Sequence, residues 1–167
     1  MNKKGELTTA DLKRILLNHF RFKKGMYCAT EVDLGIGICD VLAISSKKQK
    51  SIEIEIKVNK EDIIRDFVQK KYKHESFKDC NINTHLKPNY LYFCVPESLL
   101  KDLINLIEGK NRRYGIIVIN KYEHVEFYRQ AKELNYKNNE EIFRRILMRA
   151  TSEVVRFHNK LNEIGID

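Results

Sequence analysis

The chain has 167 residues, 43 % of them apolar, a length and content that predict one domain with a real hydrophobic core. Two prolines and seven glycines speak against disorder, and no apolar run approaches the ~20 residues of a membrane span. A formal charge of +8 and a pI near 9.3 favour a polyanionic partner, most simply nucleic acid.

The N-terminus, MNKKGELTTADLK, is polar and charged and has no signal-peptide pattern, so the expectation is a soluble cytoplasmic protein. Of four cysteines, Cys28, Cys39 and Cys94 lie in apolar, strand-like surroundings, where a thiol acts as a small buried hydrophobe. Their spacing is neither a disulfide framework nor a CxxC pair. Cys80 and His85 lack further ligands at metal-binding spacing, and unligated thiols in a reducing compartment are expected.

In chain order, TTADLKRILLNHF reads as a helix. Thr8 or Thr9 caps it, and Leu12, Ile15, Leu16 and Phe20 form its apolar stripe. KKG around Gly25 ends it. MYCATEVDL and ICDVLAIS are strands separated by a GIG turn. SIEIEIKV alternates strictly, with Ile52, Ile54, Ile56 and Val58 on one face and Glu53, Glu55 and Lys57 on the other. NKEDIIRDFVQKKYKHESF reads as one helix capped by Asn59, with Ile63, Ile64, Phe67 and Val68 inward and Asp62, Asp66, Gln69 and Lys73 on another face. DCNINTHLKP is a loop.

NYLYFCVP is a buried strand, ESLLKDLINLIEG a helix, YGIIVIN a second buried strand and HVEFYRQA an edge strand. From about 138 to 164 a long helix is predicted. Phe143, Ile146, Leu147, Ala150, Val154, Phe157 and Leu161 form its apolar stripe, beside a basic stripe of Arg145, Arg149, Arg156 and Lys160. Two apolar strands reached through helices imply parallel pairing after an antiparallel meander. The fold class is α/β with a mixed central sheet, as a single domain over 1–167 with a core of about 8–128 and the C-terminal helix beyond it.

The chemistry centres on the third strand. Glu55 and Lys57 project from one face, and a meander brings Asp40 of the preceding strand beside them. Asp40 alternates with Leu42 and Ile44, and an isolated charge in that setting needs a cation or hydrogen bonds. A divalent metal between Asp40 and Glu55 would compensate it, and oxygen ligands suit Mg²⁺ or Mn²⁺. Lys57 would then stand beside a metal-polarised phosphate. The competing reading is an exposed strand face carrying a cross-strand ion pair.

Asp40 followed by Glu55-Ile56-Lys57 resembles the D…(D/E)xK signature of the PD-(D/E)XK nuclease superfamily. The element order from residue 8 to about 95 is similar to that superfamily's restriction-endonuclease-like αβββαβ core. The run from Glu31 through CDVLAI, IEIEIKVNKEDIIRDF and NYLYFCVP to YGIIVIN resembles the MmcB-like DNA-repair family. Cys39 stands where the superfamily signature has proline.

The resemblance implies a metal-dependent deoxyribonuclease of repair, restriction or phage DNA processing. It implies Asp40, Glu55 and the Ile56 carbonyl as metal ligands, Lys57 as the catalytic lysine and Glu31 as a further acidic group. Gln69 and Lys73 match a glutamine-containing helix motif bordering the site, and Asp62 and Asp66 share that face.

His74 and His85 have no partner legible in the sequence. Tyr72, Tyr90, Tyr92 and Phe93 read as core or site wall. Arg145, Arg149, Arg156 and Lys160, with Lys73, would contact nucleic acid, and exposed edge strands would permit a homodimer. The alternative function is an inactive nucleic-acid-binding module, or a basic protein-interaction domain, of the same fold.

Overall fold

A computed structural model describes residues 6–77, 86–108, 111–134 and 139–163. Helix α1 (Thr9–Asn18) runs into a wider turn over His19–Lys23. Thr8 and Asp11 form a reciprocal cap: the Asp11 N–H donates to Thr8 Oγ1 at 3.2 Å and the Thr8 N–H donates to Asp11 Oδ2 at 3.0 Å. Strands β1 (Tyr27–Asp33), β2 (Ile38–Ile44) and β3 (Ser51–Ile56) follow as an antiparallel meander.

Helices α2 (Lys60–Gln69) and α3 (Lys71–Ser76) lead to β4 (Tyr90–Pro96). A 3₁₀ turn (Glu97–Leu99) and α4 (Leu100–Ile107) lead to β5 (Gly115–Ile119), β6 (Val125–Arg129) and α5 (Asn139–Glu163). The sheet has the order β1-β2-β3-β4-β5-β6, with β3, β4 and β5 parallel and the other pairings antiparallel. The protein is therefore α/β, with a six-strand mixed sheet and a long C-terminal helix, in the element order the hydrophobic patterning predicts.

Alternation sorts the core into layers. Val41, Ala43, Ile54, Ile56, Tyr92 and Cys94 pack under Leu12, Ile15, Leu16 and Phe20 of α1. The alternate residues of the same strands point the other way. Leu91, Phe93 and Val95 meet Ile63 of α2 and Leu103 and Ile107 of α4, while Leu42 and Ile44 meet Ile142 and Ile146 of α5. Between these two clusters, on the same sheet face, lie Glu53 and Glu55.

Gly115 lies where β5 passes β4. A Cβ there would run into the Tyr92 ring and the Ala131 amide, so the strand tolerates only glycine at that position.

Four expectations change. The helix predicted from Asn59 to Phe77 breaks at Lys70, whose backbone (φ −99, ψ 28) leaves the helical region. Its apolar residues divide: Ile63 is buried and Phe67 packs against the core as expected, while Ile64 and Val68 are exposed and Asp66, Lys73 and His74 are buried. In α5 the long apolar stripe packs only at its start. Ile142 and Ile146 are buried, whereas Leu147, Val154 and Phe157 are exposed. Tyr72 is exposed too, unlike the buried Tyr92 and Phe93. Apolar periodicity marks a stripe but does not say whether a partner covers it.

Candidate active site

Strand β3 carries its charges into the protein. Register sets Glu53 opposite Leu42 on one side and Leu91 on the other, and Glu55 beside Phe93. Both glutamates are closed over by α2 and α3, and Glu55 is 1 % exposed. Glu53, on the charged face of the strand, meets a lysine rather than solvent.

The break at Lys70 leaves Asp66, Lys70, Lys73 and His74 at spacings of three and four residues, facing the strand. Lys73 Nζ donates to Glu53 Oε1 and, at 2.5 Å, to Glu55 Oε1. Lys70 Nζ lies 2.7 Å from Glu55 Oε2 and 3.1 Å from Asp66 Oδ2. Lys57 Nζ lies 2.6 Å from Asp66 Oδ2 and 3.3 Å from Glu55 Oε2. His74 Nε2 is 2.9 Å from Asp66 Oδ1, and its Nδ1 is 2.9 Å from the Tyr114 hydroxyl. Three carboxylates and three ammoniums thus balance in a buried network, the condition under which charge is tolerated there.

The surroundings drive the titrations apart. Burial pushes Glu53 up to about 7, against Lys73 and with Glu55 adding to the rise. Burial would also raise Glu55, but Lys73, then Lys70 and Lys57, bring it down to about 2. Asp66 is likewise lowered: its bond to His74 and the charges of Lys57 and Lys70 outweigh burial. Burial alone would lower Lys73, yet Glu53 and Glu55 raise it well above the ordinary lysine range. Glu53 Oε2 is buried with no hydrogen-bond partner.

Asp40 stands at the rim of this network. Continuing the β2–β3 register one step past Val41 and Ile54 sets it opposite Glu55. Its Oδ2 accepts the Ile56 N–H at 2.8 Å, replacing a ladder carbonyl, and Oδ1 lies 3.8 Å from Lys13 of α1. Burial, then the charge of Glu55, push its carboxyl up.

Asp40 and Glu55 are oxygen donors of the kind a hard cation takes, but both Glu55 oxygens are already engaged by lysine ammoniums. Mg²⁺ keeps most of its waters and takes one or two carboxylates. The like charge of Asp40 and Glu55 is what such an ion relieves. Asp40, Glu55 and the Ile56 carbonyl are the groups that would hold it. Among the described residues no three Asp, Glu, His or Cys side chains converge into a ready-made metal cage.

The remaining predicted residues fall elsewhere. Glu31, with φ 52, is exposed and held between Lys13 and Arg149, each 3.0 Å away. Gln69 is exposed, on the outer side of α2 rather than in the network. Asp62 caps α2 with Asn59. Lys73 is buried against two carboxylates, so it does not lie on a surface that nucleic acid could reach. Arg145 donates to the Asp33 carbonyl at 2.8 Å, and Arg149 to the Thr30 carbonyl at 2.9 Å. Arg156 and Lys160 are exposed. Cys80 and His85 lie outside the described residues.

Sequence reasoning missed Lys70, Tyr114 and the partners of His74. Asp66 and Lys73 belong to the polar face read from the sequence, but that face is phased one position away, through Asp62 and Gln69, so Lys70 and His74 fall outside it. Tyr114 is distant in sequence, and no local signal connects it to His74.

No family model matches the chain, and no curated protein matches it. Among solved structures, SPO1766, a protein of unknown function from Silicibacter pomeroyi, superposes with a TM-score of 0.64. The match covers 96 % of this chain and 97 % of that one at 17 % identity. At that identity the likeness is one of fold.

Proposed function

We propose that the protein is a metal-dependent nuclease of the PD-(D/E)XK type, with a restriction-endonuclease-like core, that hydrolyses DNA phosphodiester bonds in repair, restriction or phage DNA processing. The observation that carries this reading is the convergence of Asp40, Glu55 and Lys57. Asp40 accepts the N–H of the residue between the other two, and Lys57 contacts Glu55 at 3.3 Å.

When bound, Mg²⁺ or Mn²⁺ supplies Lewis-acid polarisation of the phosphate and a water of lowered pKa. The chain's own residues do the rest. Asp40 and Glu55 provide the oxygen ligands. Lys57 offers its ammonium to the charge developing on phosphorus, in a site with little water to screen it. Asp66 holds that ammonium in place at 2.6 Å, and is itself held by His74. The net charge of +8 favours approach of a polyanion.

A second reading, a non-catalytic nucleic-acid-binding module of the same fold, is favoured by one observation. Both oxygens of Glu55 are engaged by lysine ammoniums, so metal binding requires at least one of them to move away.

The deciding experiment incubates labelled single-stranded, duplex and branched DNA with Mg²⁺ or Mn²⁺, comparing the wild type with Asp40→Ala and Lys57→Ala. Metal-dependent cutting that both substitutions abolish, with far-UV circular dichroism unchanged, is the expected result. DNA binding without cutting on any substrate would leave the binding module as the function.

A further inference from the structure

Helix α5 is 25 residues long, but only its first half has a floor. Ile142 and Ile146 are buried, and from Thr151 onward every side chain is exposed or half-exposed. The exposed half carries large apolar side chains among its polar ones. Val154 is 56 % and Phe157 61 % exposed. Together with Phe143, Leu147, Ala150 and Leu161 they follow one another at alternating spacings of four and three residues. That is the heptad seam of a coiled coil, and it drifts off the face that rests on β1 and β2.

We propose that this seam pairs with the same seam of a second copy, as an antiparallel two-helix coil about a twofold axis. The antiparallel register seats Val154 against the partner's Phe157 and Ala150 against the partner's Leu161, so each large side chain meets a smaller one. A parallel, in-register pair would set Phe157 against the partner's Phe157 and lay the two helix dipoles side by side in the same direction.

Charge selects the same arrangement. Glu153 and Lys160 occupy equivalent flanking positions one heptad apart, and antiparallel pairing brings each Glu153 beside the partner's Lys160. Glu153 Oε1 also accepts from Thr30 Oγ1 at 2.7 Å and lies 3.3 Å from Arg149 of its own chain, so the partner's lysine shares this carboxylate. Lys160 has no ion-pair partner among the described residues. The overlap from Ala150 to Leu161 is about three helical turns.

Sedimentation equilibrium of the full chain across a dilution series tests this. The wild type is expected to dimerise. Val154→Glu and Phe157→Glu weaken the dimer about tenfold or more. Both side chains are exposed in the monomer, so the far-UV spectrum should not change and the melting temperature should fall only by what the lost association supplied. Lys160→Glu also weakens the dimer, and adding Glu153→Lys to it restores association. A wild type that stays monomeric, or a dimer indifferent to Phe157→Glu, overturns the proposal. A Lys160→Glu dimer as tight as the wild type overturns the antiparallel register.

Discussion

Lys57 and Asp66 join the end of the third strand to the helix that covers it, Nζ to Oδ2 at 2.6 Å with both side chains almost fully buried. Removing Asp66 leaves Lys57 with only Glu55 at 3.3 Å and takes a partner from Lys70 and His74 as well, so buried positive charge loses its nearest carboxylate. Asp66→Ala should therefore destabilise the fold by about 3–5 kcal/mol, the usual penalty for breaking a buried pair. Urea denaturation measures it, and a loss below about 1 kcal/mol, the range of a surface pair, would contradict the buried network.

Lys73 serves two carboxylates at once, Glu53 and Glu55. Lys73→Met alone should cost about 3–5 kcal/mol for the same reason. The double variant Glu53→Gln/Lys73→Met should lose less than the sum of the two single changes, because the neutral amide no longer needs a counter-charge. Strict additivity in a double-mutant cycle would show that the two groups do not interact.

The network also sets a pH dependence. Glu53 titrates at about 7 when folded, against an ordinary 4.5. Between those values the folded state holds a proton that the unfolded state releases, so this group's contribution to stability falls as pH rises from about 4.5 to about 7. Glu55, lowered to about 2, acts oppositely: its contribution is present above 4.5 and is lost as pH falls towards 2. Melting temperatures across this range should decline towards neutrality in the wild type and decline less in Glu53→Gln. Identical slopes in the two proteins would remove Glu53 as the source.

If Asp40 and Glu55 take a divalent cation, Mn²⁺ must stabilise the folded state by mass action. Titration of the metal should raise the melting temperature of the wild type and leave Asp40→Ala unmoved. Because this reads binding rather than turnover, it separates a metal-free module from an enzyme whose substrate has not been found. Equal responses from the two proteins would place the ion elsewhere.

Gly115 tests the fold itself. Gly115→Ala would force the Tyr92 ring or the Ala131 amide to shift and should destabilise by about 1–3 kcal/mol, as overpacking does. A neutral substitution would mean that β4 and β5 sit further apart than described.

Much of this was legible along the chain. The alternation of Ile52, Ile54 and Ile56 against Glu53 and Glu55, the caps at Thr8 and Asn59, and the apolar runs of β4 and β5 prescribe each element, because propensity and periodicity are local properties. Local pattern also brings Asp40 beside Glu55, since a meander leaves little choice of register.

Which face each helix turns inward is a different matter, because it depends on what lies beneath. The face of α2 and α3 that carries Asp66, Lys70, Lys73 and His74 went inward only because Glu53 and Glu55 were already there to meet it. The seam of α5 from Val154 to Phe157 stayed outward because the sheet ends beneath it. Tyr114 joined His74 from forty residues away. Burial and charge pairing are relations between segments remote in sequence, so the tertiary structure alone decided them.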